Sequence, residues 1–170
     1  VRLDHKLTER DSVFVRYTFD DAKSIGASDS YLFHIDDKTR QQYATLTGSH
    51  IFNLSLLNSY RIGFTRPTDH VITLTGLNIP SGLNFSPEAS QFGQILIPGL
   101  TAFGPSSTYP LDHVLNSFQF AGDFILQHGK HSLKFGAEAN RSQLNVGSEW
   151  FKAAAWSFNS LESFLQAGPV

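Results

Sequence analysis

The sequence predicts an all-β fold: an antiparallel, up-and-down transmembrane β-barrel fragment, about six long strands forming an open curved sheet, with long loops at one end and a short helix near the C-terminus. Three observations predict it. The stretch from Asn116 to Asn140 alternates between apolar and polar side chains over two successive arms. Each arm carries about ten residues, against a mode of five or six for strands in soluble proteins, and about 9–11 are needed to cross a bilayer. The connections alternate between short turns and long loops along the chain, as they do in up-and-down membrane barrels.

The first arm of that hairpin places Phe118, Phe120, Gly122, Phe124 and Leu126 on one face and Ser117, Gln119, Ala121, Asp123 and Gln127 on the other, with Ile125 as an apolar intruder. The second arm sets Leu133, Phe135, Ala137 and Ala139 against Ser132, Lys134, Gly136, Glu138 and Asn140. With Gly129-Lys130 as a two-residue loop, Phe124 stands opposite Phe135 and Leu126 opposite Leu133. Asp123 then lies diagonal to Lys134, in reach of a favourable cross-strand pair. These arms are the strands near 115–127 and 131–141.

In chain order, Leu3, His5 and Leu7 alternate with Arg2, Asp4 and Lys6, predicting a strand over about 1–7. After the polar turn Thr8–Asp11, a second strand over about 12–20 puts Val13, Val15, Tyr17 and Phe19 on one side and Arg16, Thr18 and Asp20 on the other, with Phe14 out of place. Residues 21–38 show no sustained period and read as a loop. A weakly alternating strand covers about 39–52, its apolar row of Ala44, Leu46, Gly48 and Phe52 broken by His50. A fourth strand, about 57–66, alternates Tyr60, Ile62 and Phe64 with Ser59, Arg61, Gly63 and Thr65. Pro67 opens a long irregular region, 67–112, in which the runs VITLTGL and QILIPGL either pack on a scaffold or pair locally. A third long loop is expected over 142–158, with a short strand near Ala154–Phe158. Asn159 with Glu162 three residues on has the look of a capping box, Gly168-Pro169 supplies a stop, and a helix is expected over 160–167.

Composition supports this class. Of 170 residues, 16% are charged, below the roughly 25% usual for soluble domains. Fifteen are Phe and none is Cys or Met. A net charge of −2 without a basic stripe argues against a nucleic-acid partner. Mean hydropathy is −0.16, and no run long enough for a transmembrane helix occurs, which a strand-built wall does not need. Beginning at Val1 and ending just past the helix, the chain reads as an internal piece of a longer protein.

Four stretches resemble the barrel of TonB-dependent outer-membrane receptors. RLDHKLTERDSVFVRYTFDD is similar to their R-x-D-H/Y opening, turn and F-x-R-Y strand; FNLSLLNSYRIGFTR resembles their L-x-N-e-x-R-x-G-y-x-R stretch. HGKHSLKFGAEANR is similar to their G-K-H-t-L-K-F-G hairpin, and WSFNSLESFLQAGP resembles an element of the large Oar-like members. The four occur in the family's order. The resemblance implies a barrel of about 22 strands, this chain supplying about six, closed by a plug domain absent here. It further implies energised movement of a large, unknown ligand across the outer membrane of a Gram-negative-type bacterium through the TonB complex, which engages the plug region. The positions it matches, Arg16, Tyr17, Arg61, Gly63, Lys134 and Gly136, are scaffold in that family.

Expected lumen-facing residues are Arg16, Arg61, Asp123, Lys134 and Glu138; expected lipid-facing residues are Val15, Tyr17, Tyr60, Ile62, Phe64, Phe118, Phe120, Phe124 and Phe135. His34, Asp36 and Asp37, with Asp20, Asp21 and Asp29, lack ligand spacing and read more simply as a solvated acidic loop than as a calcium site. His128 and His131 flank a turn and do not by themselves close a metal site. Trp150, Phe151, Trp156, Tyr17, Phe19 and Phe64 read as interfacial aromatics rather than as a stacking site. No nucleophile motif, nucleotide-binding loop or cofactor signature occurs, so neither enzymatic activity nor a cofactor is expected. A soluble ligand- or carbohydrate-binding β domain and a passive porin are the competing readings. Burial of the aromatic row under a second layer of the same chain would favour the first of these.

Overall fold

The computed structural model describes residues 1–28 and 30–168. Asp29 and Pro169, both named above, lie outside them. The principal strands are β1 (Arg2–Lys6), β2 (Asp11–Ala27), β3 (Phe33–Asn53), β4 (Leu56–Thr75), β6 (Leu111–His128) and β7 (His131–Ser148). They form one sheet in the order β1-β2-β3-β4-β6-β7, each strand beside its predecessor in the sheet. Two short strands, β5 (Gln94–Leu96) and β8 (Ala155–Ser157), pair in parallel as a second sheet. Helix α1 covers Leu161–Leu165.

The tight turns are built by their own residues. Between β1 and β2, the Thr8 hydroxyl oxygen accepts from the Arg10 and Asp11 amides, both at 3.0 Å. Between β3 and β4, the Asn53 side-chain oxygen accepts from the Ser55 amide at 2.8 Å, a side-chain-made turn. Between β6 and β7, Gly129 holds φ 60°, the conformation a II′ turn asks of its first residue.

The strands run further than the periodicity predicts. β2 continues to Ala27 and β3 starts at Phe33, so most of the expected loop 21–38 is strand. β4 passes through Pro67 to Thr75, absorbing the start of the expected loop 67–112, and β7 reaches Ser148. These extensions bury apolar and charged side chains alike, Phe33 and Val71 as well as Asp36, so no strict alternation marks them. At Pro67, which has no N–H to donate, the neighbouring Thr68 hydroxyl donates to the Arg40 carbonyl at 3.4 Å. The helix is shorter than the expected 160–167 and capped one residue later. Ser160, not Asn159, is the N-cap, exchanging hydrogen bonds with Ser163 at 3.1 Å each way, and Glu162 stays in the first turn, where a carboxylate complements the helix dipole.

The chain divides into two compact units. The first, residues 1–21, 40–68 and 114–145, contains the strand segments that alternate. The second, residues 22–39, 69–113 and 146–170, contains the strand extensions, the long loop, β5, β8 and α1. Among the described residues the buried hydrophobic side chains are Phe33, Val71 and Ala153, all in the second unit. The first unit has no apolar core of its own.

Candidate functional site

The distinguishing feature of the first unit is its pair of faces. The β1–β2 register opposes Leu3 to Val15 and His5 to Val13 on one side, and Arg2 to Arg16 and Asp4 to Phe14 on the other. Phe14 therefore belongs to the polar face, where the Arg2 guanidinium lies 4.5 Å from its ring centroid while pairing with Asp4 at 2.8 Å. An aromatic ring on a charged wall is thus occupied as a cation–π partner.

On the polar face of β6 and β7, Lys134 approaches Asp123 at 3.5 Å, Gln127 donates to Ser132 at 2.8 Å, and Ser117 meets Ser142 at 3.5 Å. Glu138 accepts from Asn140 at 2.8 Å, while Arg16 and Arg61 are exposed. Gly136 leaves room for Asp123, and Gly63 lies under Gln119, so both glycines let a polar side chain cross a neighbouring strand. These contacts are at least partly exposed and contribute little individually.

Most of the apolar face is bare, with Phe64, Phe118 and Phe124 half-buried among their neighbours. Tyr60 is 40% exposed, Ile62 42%, Phe120 49% and Phe135 56%, and Val15 and Tyr17 are likewise exposed. Among the described residues no second layer covers them. Phe52, Phe124 and Phe135 stack in sequence, with centroids 6.4 and 5.4 Å apart, on the side of the short turns. Phe64 and Phe118 pack at 5.1 Å nearer the other end of their strands. Polar groups close the apolar rows at both ends. Arg40 pairs with Asp21 at 2.9 Å beside the Phe19 ring, and the Tyr17 hydroxyl accepts from Gln42 at 3.0 Å. At the turn end, His50 pairs with Asp11 at 2.5 Å with its ring against Phe52, which accounts for the histidine that interrupts the apolar row of β3. On β6 the apolar row runs from Phe118 to Leu126, a length that suits one bilayer crossing.

The second unit holds a feature that spacing did not reveal. β4 and β6 each carry an Asp-His dipeptide, and the two cross-pair: His70 with Asp112, and His113 with Asp69 at 3.9 Å. Burial, then the neighbouring Asp37 carboxyl, pushes the Asp69 carboxyl above its usual range, against the pull of His113 and His70. Asp36, 3% exposed, receives Lys23 at 3.3 Å and Lys38 at 3.7 Å, so Asp20, Asp21, Asp36 and Asp37, expected in a solvated loop, are strand residues, and Asp36 is buried and paired. Among the described residues no group of three or more His, Asp or Glu side chains is placed to hold a metal ion. Trp150 and Phe151 follow β7 and Trp156 lies on β8, outside the alternating strand segments. Trp150 stacks on Phe151 at 5.9 Å after β7, and Trp156 packs against Phe85. The only advance signal for the crossed pair was the dipeptide repeated at 69–70 and 112–113.

An open antiparallel sheet, polar on one side, apolar and largely bare on the other, with five of its six strands 17 to 21 residues long, defines the wall of a membrane β-barrel. The chain belongs to the outer membrane beta barrel domain family, whose model matches residues 1–167, and its location is the outer membrane. That location excludes the soluble binding domain. Neither curated proteins nor solved structures yield a match.

Proposed function

We propose that the chain is part of the barrel of a TonB-dependent, Oar-like outer-membrane transporter that moves a large ligand across the outer membrane. The observation that carries this reading is the ordered set of four receptor-like stretches. Two of their glycines, Gly63 and Gly136, sit where polar side chains cross the sheet. In this reading Val15, Tyr17, Tyr60, Ile62, Phe64, Phe118, Phe120, Phe124 and Phe135 meet lipid, while Arg16, Arg61, Asp123, Lys134 and Glu138 line the lumen. The chain catalyses nothing; its contribution is a wall. The unpaired edges of β1 and β7 take further strands of the same protein, since an open edge in hydrocarbon leaves backbone groups without partners. A plug elsewhere in that protein engages TonB.

Planar-bilayer recordings of the full-length protein, together with its retention by the periplasmic domain of TonB, separate this reading from a passive porin. A plugged transporter gives no steady conductance and is retained. Steady ohmic conductance without retention overturns the proposal in favour of the porin.

A further inference from the structure

We infer that Arg40, Arg66 and Arg141, a band on the apolar side of the first unit, bind the phosphorylated headgroup of an outer-leaflet glycolipid. They lie on β3, β4 and β7, just past the apolar rows at the end away from the short turns, and all three are exposed. Their facing follows from contacts on both sides of the sheet. The Arg40 guanidinium stands 5.4 Å from the centroid of Phe19, in the row that Tyr17 and Phe19 form. Gly63 lies under the Gln119 side chain on the polar side, so Phe64 and Arg66 project from the other. The Ser142 hydroxyl meets that of Ser117 on the polar side, which turns Arg141 to the apolar one.

The spacing suits one headgroup. The Tyr60 ring over Gly48 and the Thr68 hydroxyl on the Arg40 carbonyl fix the register of β3 and β4, so Arg40 and Arg66 are diagonal neighbours, roughly 7–8 Å apart. The pairs Gln127–Ser132 and Ser117–Ser142 set Arg141 across from Phe118, on which Phe64 packs at 5.1 Å. Arg66 and Arg141 thus flank that aromatic pair, two strand spacings or about 10 Å apart. Asp21 offsets Arg40, whereas Arg66 and Arg141 join no ion pair among the described residues. Neighbouring cations of this kind repel, and a shared anion relieves the repulsion. A guanidinium grips two phosphate oxygens at once, which a lysine ammonium cannot do. Gln42, Asn116 and Gln143 share the band and are uncharged amides, able to donate to and accept from sugar hydroxyls. Short turns of such barrels are periplasmic, so the arginines stand at the outer leaflet, where the lipid carries phosphate on a sugar. The turn end of the same side has His50, His128 and His131 in place of arginine. This inference needs the outer-membrane location and not the mode of energisation, so a passive porin would bind the same lipid.

The test is native mass spectrometry of the full-length protein in a nonionic detergent, titrated with bisphosphorylated lipid A. Binding is expected, tighter than that of monophosphoryl lipid A or phosphatidylglycerol and undisturbed by millimolar inorganic phosphate. Arg66→Gln and Arg141→Gln should each weaken it about fivefold, the worth of one cation at a membrane surface. Arg10→Gln, which removes the same charge at the β1–β2 turn, should leave it unchanged. Either single variant decides alone if the other fails to fold. Absence of binding, equal binding of phosphatidylglycerol, displacement by inorganic phosphate, or an equal loss in Arg10→Gln overturns the inference.

Discussion

The ring of Tyr60 on β4 lies over Gly48 on β3, in the space a side chain at position 48 would occupy. Both residues belong to the apolar face, and the ring restores there the cross-strand contact that a glycine cannot make. Gly48→Ala forces the ring away, and overpacking of this kind costs about 1–3 kcal/mol. Tyr60→Ala alone loses the covering ring; added to Gly48→Ala it removes the clash, so the double variant should be more stable than the two single effects sum to. Urea unfolding of the full-length protein in lipid vesicles measures all four corners of the cycle.

How much of this was legible in the sequence follows from what surrounds each segment. In 118–126 and 133–139 one solvent is apolar and the other is water, so the period of two is enforced residue by residue. That Phe124 and Phe135 share a face could accordingly be read, and their rings stack, while the period alone left the register open. In 21–38 and 67–75 the strand extensions carry no such constraint, and Lys23, Asp36 and Thr73 leave no pattern to find. Phe14 looked misplaced because its partner, Arg2, comes from the adjacent strand. The crossed Asp-His pairs join residues over forty positions apart, so local spacing could not place them.

Neighbouring residues on β6 offer opposite outcomes for the same substitution. Phe120→Arg puts a cation into the apolar row and should cost about 2–4 kcal/mol in vesicles. Gln119→Arg, on the polar face, should change stability by no more than about 0.5 kcal/mol. Equal effects at the two positions would mean that the faces do not see different solvents.

The Asp69 carboxyl, raised by burial and by Asp37, gives a pH dependence of known sign. Protons bind the folded form more tightly than the unfolded one, so the contribution is fully present below the unfolded value of about 3.8 and is lost as pH rises through the folded value. Asp69→Asn keeps a neutral group at that place and removes the loss. The melting temperature of the variant should exceed that of the parent by an increasing margin as pH climbs above about 4. A parent that gains on the variant over the same interval contradicts this assignment, and His70 and His113 variants report how far those rings offset it.

The sequence has no cysteine, so single cysteines can be introduced at each position from 117 through 126 and carry a spin label in bilayers. The account predicts that labels at 118, 120, 122, 124 and 126 are reached by dissolved oxygen and shielded from a water-soluble nickel complex, with the reverse at the intervening positions. Labels that show no alternation, or that are wet on both faces, would contradict it.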